Sequence, residues 1–273
     1  MPLRLMAVVA HPDDESLGVG GTLTKYANEG IETSLVMATR GEAGRCGEHL
    51  RGAPGHPGPD VLARLREAEL RAAAGILGIG DLAFLDYRDQ ELDRADPREA
   101  VARIVHHLRR VRPDVVLTFG QDGAYGHPDH IAIGQFTTAA VAVSADPTFA
   151  SGEGDVPHPV AQRYYLAWPA STWAAYQHAL TRLISKVDGV ERQAVPWPDW
   201  SLTTEIDTRA TWETVWRAVS CHATQMGIFA SLKDLSPELH DALWGAQWFY
   251  RVLSTVNGGR QRETDLFEGL RGR

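Results

Sequence analysis

Cysteine is nearly absent from this 273-residue chain: Cys46 and Cys221 are the only two, and they form no Cys-x-x-Cys pair. That argues against a disulfide scaffold and leaves two incidental thiols. Basic charge is also short. With a formal net charge of −8 and no basic block interleaved with aromatics, nothing electrostatic favours nucleic acid. A neutral or amine-bearing small substrate fits better than a polyanion. No apolar stretch approaches a membrane span, and the run from Met1 to Ala10 is cut short by His11-Pro12-Asp13-Asp14. It therefore reads as a strand rather than a leader, and the cytoplasm is the expected address. A dinucleotide fingerprint is missing too. Gly18, Gly20 and Gly21 are followed by Leu23 where a third spaced glycine would stand, and Asp13, Asp14 and Glu15 would repel a pyrophosphate. Those glycines read instead as sites of close helix–strand packing.

What is present is a core-forming alternation. The chain is 44% hydrophobic and 23% charged, enough for one substantial core. Leu5–Ala10, Ile31–Ala38, Leu82–Asp86 and Val115–Phe119 read as short buried strands. Helices are predicted over Ser16–Asn28, Val61–Leu77 and from Asp96 to about Arg112. The second carries Leu62, Leu65, Ala68, Ala72 and Ile76 on one face. The third has Asp96 as N-cap, Pro97 at the first turn and Glu99 three on. Between them Thr39 to Pro59 is a long, aperiodic, Gly/Pro-rich segment of the kind that is more often functional than accidental. The fold expected is α/β: a Rossmann-like, doubly wound, mostly parallel sheet with a C-terminal elaboration. In strand order 3-2-1-4-5, the first and fourth strands are neighbours and the crevice at their carboxyl ends holds the ligand.

Further on, Ile131–Ala142 reads as a helix, Asp146–Pro159 as a polar connection, and Gln162–Trp168 and Leu202–Ile206 as strands. Ser171–Leu183 and Thr211–Thr224 read as helices, and beyond Gly227 the pattern gives little. Tryptophans gather between Trp173 and Trp248, so this half must bury aromatic surface, as a lid or as a contact with a second copy. The organisation expected is a single domain over 1–273, with a metal-site core in 1–145 and a substrate or lid region in 146–273.

Two runs built on His-Pro-Asp carry the chemistry: His11-Pro12-Asp13-Asp14-Glu15 and His127-Pro128-Asp129-His130. Each follows a predicted strand, the first and the fourth, so residues more than a hundred positions apart are expected to converge. A lone His-x-x-Asp at a helix start is ordinarily a cap beside a surface histidine; the second run at a neighbouring strand end changes that reading. A hydrolytic zinc site needs about three protein ligands and an open position. His11, Asp14 and His130 supply them, and zinc there would lower the pKa of water to roughly 7. Asp13, beside the metal but not needed as a ligand, suits a general base. His127 is placed to stabilise an oxyanion or protonate a leaving group, with Tyr125 as a second hydroxyl donor. Asp129 is a candidate for fixing an imidazole's orientation. His106 and His107, on a basic helix, read as solvated surface.

Ala10 to Glu15 together with Gly126 to His130 resemble the PIG-L / LmbE-like family of zinc-dependent N-acetylglucosaminyl deacetylases. The resemblance covers roughly Leu5 to Val141 and recurs weakly at His222-Ala223-Thr224-Gln225. It implies zinc on His11, Asp14 and His130, Asp13 as general base and His127 as acid or oxyanion residue. It further implies that Arg66 and Asp89 contact substrate. Within this family the chain is similar to the branch making low-molecular-weight thiols, the glucosaminyl-inositol deacetylase and the thiol-conjugate amidase. The amidase carries a lysine seven residues after the first motif histidine; Gly18 stands there, which counts against it.

The function expected is hydrolysis of an acetyl amide on an N-acetylglucosamine-type small molecule, with Asp13 or His127 as the acid that releases the amine. One alternative is an amidase on another acyl-amino substrate, such as an antibiotic or thiol conjugate. A non-catalytic sugar-binding module is another, disfavoured by the intact Asp13 and ligand set. A His₂Asp set also tolerates Fe²⁺. Whether the chain forms a homo-oligomer is not legible.

Overall fold

The first apolar run forms β1 (Arg4–Val9), with every residue from Leu5 to Val9 buried. It lies third, beside the central strand, in a seven-stranded sheet of order β3-β2-β1-β4-β5-β9-β8. In this computed structural model, residues 2–152, 154–180, 184–187, 189–193, 195–259 and 261–272 are described. β2 (Glu32–Met37), β3 (Asp81–Phe84), β4 (Val115–Phe119) and β5 (Gln162–Leu166) run parallel to β1. Leu5 pairs with Thr33 on one side and Val115 on the other. The expected strand order and the adjacency of the first and fourth strands are thus observed. A hairpin of β6 (Ser185–Val187) and β7 (Val190–Arg192) stands apart from the sheet. β9 (Ala246–Ser254) joins β5 antiparallel, and β8 (Thr204–Asp207), antiparallel to β9 in turn, runs in the direction of the parallel strands at the sheet's edge, so residues after 146 contribute β5, β9 and β8.

The helix predicted over 16–28 is broken in two: α1 (Asp14–Leu17) and α2 (Gly20–Asn28). At the break Val19 has φ −134°, and a Cβ on Gly18 would sit 2.8 Å from the Leu166 side chain of β5. The close-packing role expected of these glycines is therefore observed, at the cost of helix continuity.

α3 (Pro59–Leu77) ends on Gly78 at φ 78°, as its sequence predicts. Its buried face differs from the expectation. Leu65 is 42% exposed and Ala68 and Ala72 are exposed, while Leu62, Arg66, Leu70, Ala73 and Leu77 face inward. An arginine belongs to the inward stripe, and a count of apolar residues cannot see it. α4 (Pro97–Val111) is capped by Asp96, whose carboxylate accepts the Glu99 N–H at 2.9 Å. After β4 a kinked turn, α5 (Gly123–Gly126), leads into α6 (Pro128–Val143), three residues earlier than predicted.

In the second half α7 (Ala170–Leu180) matches the predicted start; the last three residues of that prediction, 181–183, lie outside the described residues. α8 (Trp212–Val219) stops five residues before the predicted end, and the chain turns through 220–225 instead. Tyr176, Val215, Val219, Phe229, Leu232, Leu243 and Trp244 form a second apolar cluster here. It takes up part of the expected aromatic surface, although Trp200 is 87% exposed. No described helix is long and apolar enough to cross a membrane.

Candidate metal centre and active site

β1 ends beside the central strand and delivers His11, Asp13 and Asp14 within one turn. β4, its neighbour, is followed by α5 and α6, which deliver Tyr125, His127, Asp129 and His130. The two His-Pro-Asp runs meet over the strand ends. Nδ1 of His11 lies 3.2 Å from Nε2 of His130. Asp14 Oδ1 is 3.3 Å from that same Nε2, and Asp14 Oδ2 is 3.7 Å from His11 Nδ1. Ligand atoms of a tetrahedral zinc, each roughly 2.0–2.1 Å from the ion, lie about 3.3 Å apart. The two spacings to His130 Nε2, 3.2 and 3.3 Å, fit that size, and the 3.7 Å spacing is to the other Asp14 oxygen.

The outer contacts fix which nitrogens face inward. Nδ1 of His130 donates to the Gly123 carbonyl at 3.2 Å, leaving Nε2 toward the cluster, and its ring stacks on Phe119 at 3.9 Å. Nε2 of His11 meets two carboxylates, Asp89 Oδ1 and Asp129 Oδ2, both at 3.1 Å, leaving Nδ1 inward. Such carboxylate–histidine contacts orient a metal-bound imidazole. Asp14 Oδ2 accepts the N–H groups of Ala10 and His11, leaving Oδ1 for the cluster. Among the described residues two trios bring one ligating atom each within 4.8 Å of one another, His11–His127–His130 and His11–Asp89–Asp129. In the latter both carboxylates already accept backbone N–H groups, of Ala43 and Gln90. His127 accepts the Asp129 N–H on Nδ1 at 3.2 Å, so Nε2 carries the proton of its neutral ring.

Electrostatics follow from this crowding. Burial would lower the His11 pKa, but Asp89, Asp129 and Asp14 raise it well above the usual value. Burial, with His127 and His11 nearby, holds His130 well below its own. Between Nδ1 of His11 and Nε2 of His130 there is room for a proton or for a cation. Burial pushes Asp14 up to about 7 against the pull of His11, so a cation in contact would relieve a real cost. Burial likewise keeps the Tyr125 hydroxyl protonated, its pKa raised well above normal.

Asp13 sits at φ 114°, ψ −26°, a conformation that costs a non-glycine residue roughly 1–3 kcal/mol. Burial raises its pKa, and Arg66 and His222 counter that. Arg66, from the inward stripe of α3, places Nη2 2.9 Å from the Asp13 carboxylate. It also donates to the carbonyls of Gly41 (2.9 Å) and Pro12. Gly41 admits it: at φ 66°, a Cβ there would lie 1.9 Å from Nη1. Arg66 and Asp89 therefore contact Asp13 and His11 directly, and both also line the cavity.

That cavity, about 340 Å³, is lined by the cluster and by apolar side chains, among them Leu17, Trp168, Tyr176, Leu180, Ile228 and Phe229. Gln90 and Gln225 also line it, and neither was singled out as a site residue by sequence. Tyr125 is present as expected, its ring 5.9 Å from that of His127. His107 is half-buried beside Arg110 rather than freely solvated.

Comparison with known proteins converges on one family. The profile of the PIG-L family, described as GlcNAc-PI de-N-acetylase, matches residues 6–141. A protein of Kineococcus radiotolerans is 34% identical over 310 residues, covering 98% of this chain and 83% of its own length. One of Streptomyces avermitilis is 35% identical, covering 98% and 97%. Both are named 1D-myo-inositol 2-acetamido-2-deoxy-alpha-D-glucopyranoside deacetylase. Among solved structures, N,N'-diacetylchitobiose deacetylase of Pyrococcus horikoshii superposes with TM-score 0.66 at 20% identity, covering 91% of this chain and 83% of its own. The 4-carboxy-2-hydroxymuconate hydratase GalB of Pseudomonas putida gives 0.68 at 19%, covering 94% and 99%. One fold thus serves two reactions, so the fold alone does not choose between them.

Proposed function

This chain belongs to the PIG-L family of GlcNAc-PI de-N-acetylases, and from that premise we propose that it hydrolyses the acetyl amide of an N-acetylglucosamine-type small molecule. Water adds to the carbonyl carbon, the C–N bond breaks, and acetate and a free amine leave. The substrate named for the relatives, an acetylglucosaminyl-inositol, is the first candidate. The observation that carries the reading is the convergence of His11, Asp14 and His130 within 3.2–3.7 Å beside the Asp13 carboxylate.

His11, Asp14 and His130 would hold a divalent cation, zinc by preference, though two imidazoles and a carboxylate also suit Fe²⁺. Such a cation supplies Lewis-acid charge and acidifies water. The remaining roles belong to the chain. Asp13 takes the proton of the attacking water. His127 presents an Nε2–H to the developing oxyanion or to the departing nitrogen, and Tyr125 adds a hydroxyl donor. Asp129 and Asp89 fix the His11 ring, and Arg66 holds the Asp13 carboxylate in place. At the cavity both Arg66 and Asp89 are also within reach of sugar hydroxyls.

Residues 146–273 act as the substrate-facing part, since Trp168, Tyr176, Leu180 and Ile228 line the cavity. Their apolar character favours a second reading, an acyl-amino substrate carrying an apolar group instead of a polyol. One experiment tests both: amine release from N-acetylglucosaminyl-inositol, aryl N-acetylglucosaminides and free N-acetylglucosamine, with zinc-loaded wild type and Asp13→Ala in parallel. Release by wild type alone is expected. Silence of wild type across the panel with metal bound, or near-normal turnover by Asp13→Ala, overturns the assignment.

A further inference from the structure

The segment His222–Gln225 has no part in the reaction as described, yet it ends beneath the catalytic turn. Nε2 of His222 lies 2.8 Å from Oε1 of Glu15, across 207 positions of sequence, and both side chains are fully buried. The same Oε1 accepts the Ser16 hydroxyl at 2.6 Å. The other oxygen, Oε2, accepts the backbone N–H of Asp13 at 2.9 Å. Asp13 is the residue at φ 114°, where a side-chain-bearing residue stays only if its surroundings over-determine it.

We propose that His222 is a positioning residue for Asp13, acting through Glu15. The imidazole fixes one carboxylate oxygen, and the other then holds the Asp13 amide in the turn that aims its side chain at the cluster. Nδ1 of His222 is buried without a hydrogen-bond partner, so Glu15 is its one side-chain partner among the described residues.

The anchor behind His222 is firm. Its N–H donates to Val219 at the end of α8, and its carbonyl accepts the Gln225 N–H at 2.8 Å. Two residues on, the Thr224 N–H and hydroxyl bind the two carboxylate oxygens of Glu69 on α3, at 2.8 and 2.7 Å. The Thr224 carbonyl accepts the Gly47 N–H at 2.7 Å, and the Gln225 amide donates to the Arg45 carbonyl at 2.8 Å. The turn after α8 is thereby tied to α3 and to the long 39–58 segment, and His222 carries that fixed frame to Glu15. Asp13, half-buried, and the buried Asp14 and Glu15 are consecutive acids; Arg66 donates to the first and His222 meets the third.

The inference rests on the deacetylase reading and on Asp13 as its base. Its test is steady-state amine release by zinc-loaded wild type, His222→Ala, His222→Gln and Glu15→Gln, with zinc content measured on each. Displacing a base lowers kcat by about 100-fold. His222→Ala is expected to lose about that much kcat, to hold KM within about threefold and to keep its zinc. His222→Gln, which retains an N–H donor, is expected to recover most of the loss. Should His222→Ala fail to fold, Glu15→Gln carries the test, with the same loss of kcat at full zinc expected. Unchanged kcat in the folded variants overturns the positioning role. A kcat loss that follows zinc loss, or that glutamine does not relieve, overturns it too and leaves a plain structural tie. A wild type inactive on every substrate is a different result, and strikes the deacetylase reading instead.

Discussion

Nδ1 of His11 faces Nε2 of His130 across 3.2 Å, each ring turned by a partner that holds its opposite nitrogen. On the proposed reading the pair belongs to a metal site, which should be lost one ligand at a time. His130→Ala is expected to abolish tight zinc binding while leaving the far-ultraviolet circular dichroism unchanged, since the ring lines the cavity and its loss removes no backbone hydrogen bond of α6. Chelator-treated wild type should lose activity and regain it with zinc or ferrous ion. Full zinc content in His130→Ala, measured by atomic absorption, would remove His130 from the ligand set.

Asp129 tests the layer around the proposed metal. Its carboxylate touches His11 Nε2 and the Gln90 N–H, and its own N–H reaches His127. Losing such a contact typically weakens metal binding about 10- to 100-fold. Asp129→Asn should therefore raise the zinc dissociation constant by about that factor, read by competition with a chelating dye. An unchanged constant would show that Asp89 alone orients the ring.

Arg66 predicts a stability effect. It is 3% exposed and ties α3 to Asp13, Pro12 and Gly41. Removing one partner of a buried ion pair costs about 3–5 kcal/mol, and Arg66→Ala should lower urea-unfolding stability by roughly that amount. Lysine should not substitute, because one ammonium cannot serve three acceptors in a plane. A loss under about 1 kcal/mol would mean that water replaces the guanidinium.

His107 predicts a pH effect away from the site. Burial, helped by Arg110 and His106, lowers its pKa to about 4, below the roughly 6.5 of an unfolded chain. Above that unfolded value both states are neutral and stability is intact. As pH falls from about 6.5 toward 4, the unfolded chain takes up a proton that the fold refuses, and stability declines. Thermal midpoints of wild type should fall over that window more steeply than those of His107→Gln. Parallel curves would mean that the ring titrates normally.

The parallel half of the sheet and the meeting of the two His-Pro-Asp runs were legible because buried strands are written as local apolar runs and strand order follows from their count. Arg66 was named from its motif, but its partner was not legible: the inward face of α3 includes a charge, and periodicity treats charge as outward. Asp89 was named as well, yet nothing local reveals that it meets His11, since that contact depends on the path of the loop after β3. The region after Gly227 was opaque for another reason. β9 is an antiparallel strand half-buried along most of its length, with neither the continuous apolar run of a central strand nor a clean alternation.

Strand β1 pairs with β4 after two other strands have been made, and this sets a schedule for synthesis. His11 and Asp14 leave the ribosome 119 and 116 residues ahead of His130. Until β4 has emerged, which takes most of that interval, one edge of β1 waits unpaired, an exposed template for wrong partners. A chain halted within the interval would own half a metal site and an open sheet. Ion capture therefore cannot guide the early steps of folding; it can only register that the late, long-range closure of β4 onto β1 has been completed.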